Sequence, residues 1–167
     1  MRKIIVDGAI VSDHWITVHP TDNGQIEVPE EGDILVSLGT WQNHKDALLS
    51  HQGKTGLLMN GDVELEDFTS DLEHFDLIAI NFPKFADGRG YSLARLIRER
   101  AGYTGELRAV GDVLRDQLFY LHRCGFNAFV IREDRDVDDA LNAFNDFTVT
   151  YQADVHESRP IYHRRPV

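Results

Sequence analysis

Cysteine is nearly absent from this chain: Cys124 is the one example in 167 residues. A single thiol excludes an intramolecular disulfide, and it excludes a four-thiolate zinc or iron–sulfur site built from this chain alone. That usage fits a reducing compartment, so the cytoplasm is the expected location. Long apolar runs are missing as well. Ile4 to Val6 is too short for a signal peptide, and no stretch approaches the length of a membrane span. Cations are scarce: 17 Lys and Arg stand against 28 Asp and Glu, for a formal net charge of -11. This balance excludes non-specific nucleic-acid binding and attraction to an anionic membrane, both of which need clustered basic residues.

Recognised catalytic signatures are absent too. There is no His-Glu-x-x-His, no Gly-x-Ser-x-Gly and no Gly-Lys-Ser/Thr phosphate loop. The eight histidines are scattered without a ligand spacing, so no metal site is expected. Cys124 lies between Arg123 and Gly125 at the expected end of a helix. The negative end of the helix raises a thiol pKa, so this cysteine reads as buried and inert.

What the chain does contain is an alternation. Apolar runs at 34–38, 55–59, 77–82, 107–110 and 126–131 read as strands. Between them lie segments of 3.6-residue periodicity, with helices expected to start near Gln42, Ser92, Asp112 and Asp136. Phe68, Leu72 and Phe75 add a short helix before the third run. The pattern predicts an α/β fold with a mostly parallel sheet of about five βα units. Periodicity leaves two arrangements open, a partial barrel and a doubly wound sheet. Residues 1–32 read as a small N-terminal β cap, 33–147 as the βα core, and 148–167 as an edge strand and tail, together one domain.

The third and fourth of these strands each hand the chain to a helix through a polar loop. In a parallel sheet such loops gather at the carboxyl edge, where ligands bind. After the third come Lys84, Asp87, Gly88, Arg89, Gly90, Tyr91 and Ser92. Glycines that expose backbone N–H groups at a helix start, beside Lys84 and Arg89, suit a small oxyanion. The plainer reading is a tight turn in which Arg89 pairs with Asp87. As a dinucleotide fingerprint the stretch fails, because Leu93 occupies the third glycine position and Pro83 to Asp87 intervene. After the fourth strand come Gly111, Asp112, Asp116 and Gln117. Asp112 and Asp116, one helical turn apart, suit a hard cation, or acid–base work with Arg89 as oxyanion clamp, or else a helix cap and an ion-pair partner. Both loops leave one edge, so Lys84 and Arg89 are expected near Asp112 and Asp116.

The run Phe82-Pro83-Lys84-Phe85-x-Asp87-Gly88-Arg89-Gly90-Tyr91-Ser92, then Arg95, Gly105 to Gln117 and Arg123-Cys124-Gly125-Phe126, closely resembles domain of unknown function family 934. The likeness is specific over about Leu77 to Ile131 and looser over Gly39 to Met59. Members of that bacterial family are labelled oxidoreductases involved in sulfite reduction, from the position of their genes beside those of sulfite reductase. The resemblance therefore implies a role in sulfur assimilation. It brings no catalytic residues and no cofactor. Three functions follow. The first is an accessory protein whose Lys84–Ser92 loop holds an oxyanion, a siroheme carboxylate or a sulfite or sulfate reduction enzyme. The second is an enzyme of that pathway, an oxidoreductase using Asp112, Asp116 and Arg89. The third is a homodimeric scaffold with no small-molecule site.

Overall fold

In a computed structural model of the protein, residues 2–84, 86–145 and 152–161 are described. The chain begins with a hairpin of β1 (Lys3–Val6) and β2 (Ala9–Ser12). Asp7 and Gly8 turn it, both with positive φ (49° and 76°), the backbone that a two-residue hairpin turn needs. Then follow β3 (Ile16–Val18), β4 (Ile34–Ser37), β5 (Thr55–Asn60), β6 (Leu77–Phe82), β7 (Glu106–Gly111) and β8 (Ala128–Phe129). These form one eight-stranded sheet in the order β2-β1-β8-β7-β6-β5-β4-β3. From β3 to β8 every neighbouring pair is parallel, and only β1 pairs antiparallel, with β8 and β2. The N-terminal strands thus flank the sheet on both sides.

Strand order resolves the architecture. β3 to β8 follow one another without reversal, so right-handed crossovers place every helix on one face. A doubly wound sheet needs a reversal and the crevice that comes with it. This sheet has none and curls into a half-barrel. Chain connectivity requires the curl. β2 and β3 are the outermost strands, yet only Asp13, His14 and Trp15 link them. Four residue steps reach at most about 14 Å, so the two edges must approach.

The link also fills the face away from the helices. Trp15 packs there with Leu35, Leu58, Leu77, Ala79 and Val110. Gly56 makes room for it: a Cβ there would meet the Trp15 ring at 3.0 Å. Arg108, 3% exposed on this face, pairs with Asp13 at 3.0 Å and Glu106 at 2.6 Å. The half-barrel interior is therefore packed with side chains.

On the helix-bearing face, Ile34, Val36, Leu57, Ile78, Ile80, Phe82, Leu107 and Phe129 form the main core with residues of the helices. α1 (Leu38–Leu49) starts four residues before Gln42, because the Ser37 hydroxyl accepts from the Thr40 N–H at 3.1 Å. Thr40, Trp41 and Leu48 are its buried residues, with Ala47 exposed. In place of one short helix over Phe68–Phe75 there are two 3-10 helices, Leu65–Asp67 just before it and Thr69–His74 within it. α2 (Arg89–Glu99) starts three residues before Ser92. α3 (Arg115–Arg123) starts three after Asp112. α4 (Val137–Leu141) is capped by Asp136, as expected. The strand expected over Thr148 to Val155 lies partly outside the described residues; Gln152 to Val155 are irregular. Among the described residues no helix is long and apolar enough to cross a membrane.

Gly125, at φ 114°, follows the Cys124 C-cap and ends α3. Cys124 is 3% exposed, and burial pushes its thiol pKa up. An aromatic disulfide reagent should therefore modify it at least about a hundredfold more slowly in the native protein than in urea. Equal rates would show that the thiol is accessible.

Candidate functional site

The carboxyl ends of β6 and β7 are paired, Phe82 opposite Gly111. The two polar loops therefore leave side by side. The Asp112 N–H donates to the Phe82 carbonyl at 2.8 Å. Beside them, on β5 and β6, the Asn81 amide donates to Asn60 Oδ1 at 3.0 Å. Lys84 is exposed on the same rim.

The glycine loop is organised around Asp87. Its Oδ1 accepts from the Arg89 N–H at 3.2 Å and from Arg89 Nε at 3.0 Å, while Arg89 Nη2 donates to Oδ2 at 2.8 Å. These bonds, the guanidinium first and the backbone N–H second, hold the Asp87 carboxyl down to about 2. Asp87 supplies the negative charge that the start of α2 favours. A carboxylate of the protein itself thus stands at this helix start. Arg89 also reaches Asp62 at 3.5 Å, on the loop after β5.

The two motif glycines serve different ends. Gly88 has φ -86° and open space around it. Gly90 is buried because α2 lies on β6: a Cβ there would stand 2.7 Å from the Phe82 ring. Gly61 packs its backbone against Arg89 and Gly90, so the loop after β5 covers part of the helix start. Ser92 is exposed inside α2 and caps nothing. Tyr91 lies edge-on to Phe82, centroids 5.3 Å apart, and its hydroxyl accepts from Gln117 Nε2 at 3.2 Å. Gln117, 8% exposed, also accepts from the Leu114 N–H at 2.9 Å. Gln117 and Tyr91 therefore tie α3 to α2.

The acidic pair does not form. Asp112 precedes α3, and the exposed Asp116 lies in its first turn, so the two share no helical face. Leu114 and Gln117 cap α3, so Asp112 does not. Asp112 is instead bound by Arg132, whose Nη1 donates at 2.7 Å. Arg132 also holds Asp134 through Nε at 2.6 Å, and the two carboxylates raise its pKa. Arg89 and Arg132 thus stand as two separate aspartate-clamped cations on one rim. Sequence reading overlooked Arg132, Asp62, Asn60 and Asn81. Their signal was position: each lies at or just after a strand end. Among the described residues, no group of three or more His, Cys, Asp or Glu is placed to hold a metal ion.

A second titratable cluster lies on α3. The His122 and His156 rings stack at 4.2 Å, and His156 Nε2 hydrogen-bonds to the His122 carbonyl at 2.8 Å. Burial first, and the His156 ring second, lower the His122 pKa, against smaller opposing effects of the Phe126 carbonyl, Asp154 and Asp7. A histidine depressed in the fold takes up its proton more readily once unfolded. This contribution is therefore complete above the unfolded value of about 6.5 and declines as pH falls toward the folded value. Urea midpoints should drop between pH 7.5 and 5, and His122→Phe should flatten that part of the profile. An unchanged slope in the variant would remove His122 as the cause.

A family profile described as "Bacterial protein of unknown function (DUF934)" matches residues 56–162, well over half of the chain. The chain belongs to this family. The DUF934 match takes in β5 to β8 and the loops that follow them, hence every residue of the rim described above. The resemblance noted from Leu77 to Ile131 lies inside it. The family's description assigns neither oxidoreductase activity nor sulfite reduction. No curated protein matches the chain.

Proposed function

We propose that the protein is an accessory, non-catalytic component of sulfate or sulfite assimilation that docks an enzyme of that pathway through the carboxyl rim of its half-barrel. The pathway comes from the family resemblance. What supports docking over small-molecule chemistry is the state of Arg89: its charge is exposed, yet its partner Asp87 already holds the anion position at the start of α2. A free oxyanion has to compete with that carboxylate. A protein surface can meet the whole rim, where Lys84, Arg89 and Arg132 alternate with Asp62, Asp87, Asp112 and Asp134. Interspersed charge of this kind sets orientation and association rate at a protein interface. Oxyanion binding is the second reading, favoured by exposed Lys84 beside Arg89.

Titrating the protein against purified siroheme sulfite reductase, and separately against sulfite, sulfate, phosphate and siroheme, tests both. The reductase should bind, more weakly as salt rises. Arg89→Ala should weaken that binding at least about tenfold, the loss of one charged interaction. It should leave the urea midpoint nearly unchanged, because the ion pair is exposed. Saturable binding of sulfite alone, lost in Arg89→Ala, would select the oxyanion reading. No binding of any of these at low salt would overturn the proposal.

A further inference from the structure

α4 has five residues, followed by one 3-10 turn, Asn142–Asn145, whereas α1 has 12 and α2 has 11. α4 packs beside β1 and β2, whose turn, Asp7–Gly8, is exposed. A cavity of about 460 Å³ opens there, between α3, α4, β8 and the turn. It is separate from the carboxyl rim. Phe119, Phe129, Leu141 and Phe144 form its apolar walls, with Phe129 and Phe144 in contact at 5.2 Å between centroids. Asp7, His122 and Asn127 stand among its polar lining.

The hydrogen-bond inventory defines what this polar end accepts. Asn127 Oδ1 is used by the Leu107 N–H at 2.7 Å and by Arg98 at 3.2 Å. Its amide nitrogen donates to Asp7 Oδ1 at 3.0 Å. His122 Nδ1 lies 3.2 Å from the Phe126 carbonyl. A carbonyl can only accept, so the Nδ1 carries the proton and Nε2 presents a lone pair. The Asp7 carboxylate adds a full negative charge. Arg98, which bonds Asn127 Oδ1, is otherwise directed at the carbonyls of Tyr103, Gly105 and Gly125. Among the described residues, acceptors and negative charge therefore dominate the polar end, and aromatic and aliphatic side chains line the rest. Aromatic faces attract cations as well as apolar bodies.

We propose that this cavity binds a small organic ammonium with an aryl or alkyl body, the body against Phe119, Leu141 and Phe144 and the ammonium on Asp7. Phenethylamine, neutral 2-phenylethanol and anionic 3-phenylpropionate share a ring and differ in charge. Titrated at pH 7.5 and followed by NMR shifts of the cavity residues, phenethylamine should bind about tenfold tighter than 2-phenylethanol, and 3-phenylpropionate most weakly. Asp7→Asn suits the turn, because Asn tolerates positive φ. It should remove the preference for the ammonium and leave 2-phenylethanol binding unchanged. Phe144→Leu, at a partly exposed wall position, should weaken both ligands. The proposal is overturned if phenethylamine shows no saturable shifts at the cavity, if 3-phenylpropionate binds more tightly, or if Asp7→Asn leaves the ammonium preference intact.

Discussion

Replacing Arg98 by Met should cost about 4 kcal/mol, a large share of the roughly 5–15 kcal/mol that holds a domain folded. The Arg98 guanidinium is directed inward. Nε donates to the Gly125 carbonyl at 2.9 Å, and Nη1 to the carbonyls of Tyr103 and Gly105 at 2.7 and 2.9 Å. Nη2 reaches Asn127 Oδ1 at 3.2 Å. One side chain thus joins α2 to the loop leading into β7 and to the turn leading into β8. Burial lowers its pKa, but four acceptors compensate for lost water. Met keeps most of the volume and supplies no donor. The three carbonyls would then need water at a half-buried site. Because they share one donor group, their losses do not add, and about 4 kcal/mol is less than four charged hydrogen bonds taken singly. Arg98→Lys keeps the charge but cannot present the fork, so it should recover less than half. Urea unfolding of both variants provides the measurement. A loss below about 1 kcal/mol for Arg98→Met would mean that water replaces the guanidinium freely.

Arg98 also marks what a sequence can reveal about this fold. A helical wheel places it beside the apolar stripe of Leu93 and Ile97, and hence at the surface. Three carbonyls beyond the end of α2 draw it in, and they belong to segments whose position depends on the sheet. The strands themselves were legible, because Leu77 to Phe82 is apolar except for Asn81, and Leu107 to Val110 is apolar except for the buried Arg108. Helix starts were less so. Ser37 and Asp87 supply side-chain oxygens before α1 and α2, whereas the expected starts were Gln42, which is no cap, and Ser92, whose hydroxyl looked like one. The half-barrel was not legible. It follows from β3 beginning one edge and the β1–β2 hairpin closing the other, a pairing across more than a hundred residues.

The candidate site divides in the same way. Side-by-side parallel pairing of β6 and β7 puts their ends together, so the meeting of Phe82 with Asp112 was readable from topology alone. The choice of ion-pair partner was not. Arg89 takes Asp87, two residues away, and leaves Asp112 to Arg132, twenty residues along the chain. A short tether favours the local pair, since closing a small loop costs less entropy. The acidic pair failed for a simpler reason: α3 begins after Asp112, and helical spacing has no meaning outside the helix.

Gly111→Ala should destabilise the protein by about 3 kcal/mol, from backbone strain and overpacking together. Gly111 ends β7 with φ 95°, a conformation that L side chains rarely adopt. A Cβ at this position would lie 2.5 Å from the Phe82 carbonyl oxygen and 2.6 Å from Asn81 Oδ1. Neither neighbour moves cheaply. The Phe82 carbonyl accepts from the Asp112 N–H at 2.8 Å, and the Phe82 ring is 2% exposed beneath α2. Asn81 is bonded to Asn60 at 3.0 Å. To admit the methyl group, β7 must draw away from β6 at the carboxyl edge. That movement would shift Asp112 from Arg132 and disturb the Asn60–Asn81 pair, so binding at the rim should weaken along with stability. Gly88→Ala is the contrasting change. Its φ is ordinary and its surroundings are open, so the loss should stay below about 1 kcal/mol, the difference between Gly and Ala at an N-cap. Denaturant midpoints of the two variants decide the matter. Equal losses would show that the Gly111 backbone is free to relax, and the close packing of the two loops would then not be what fixes the rim.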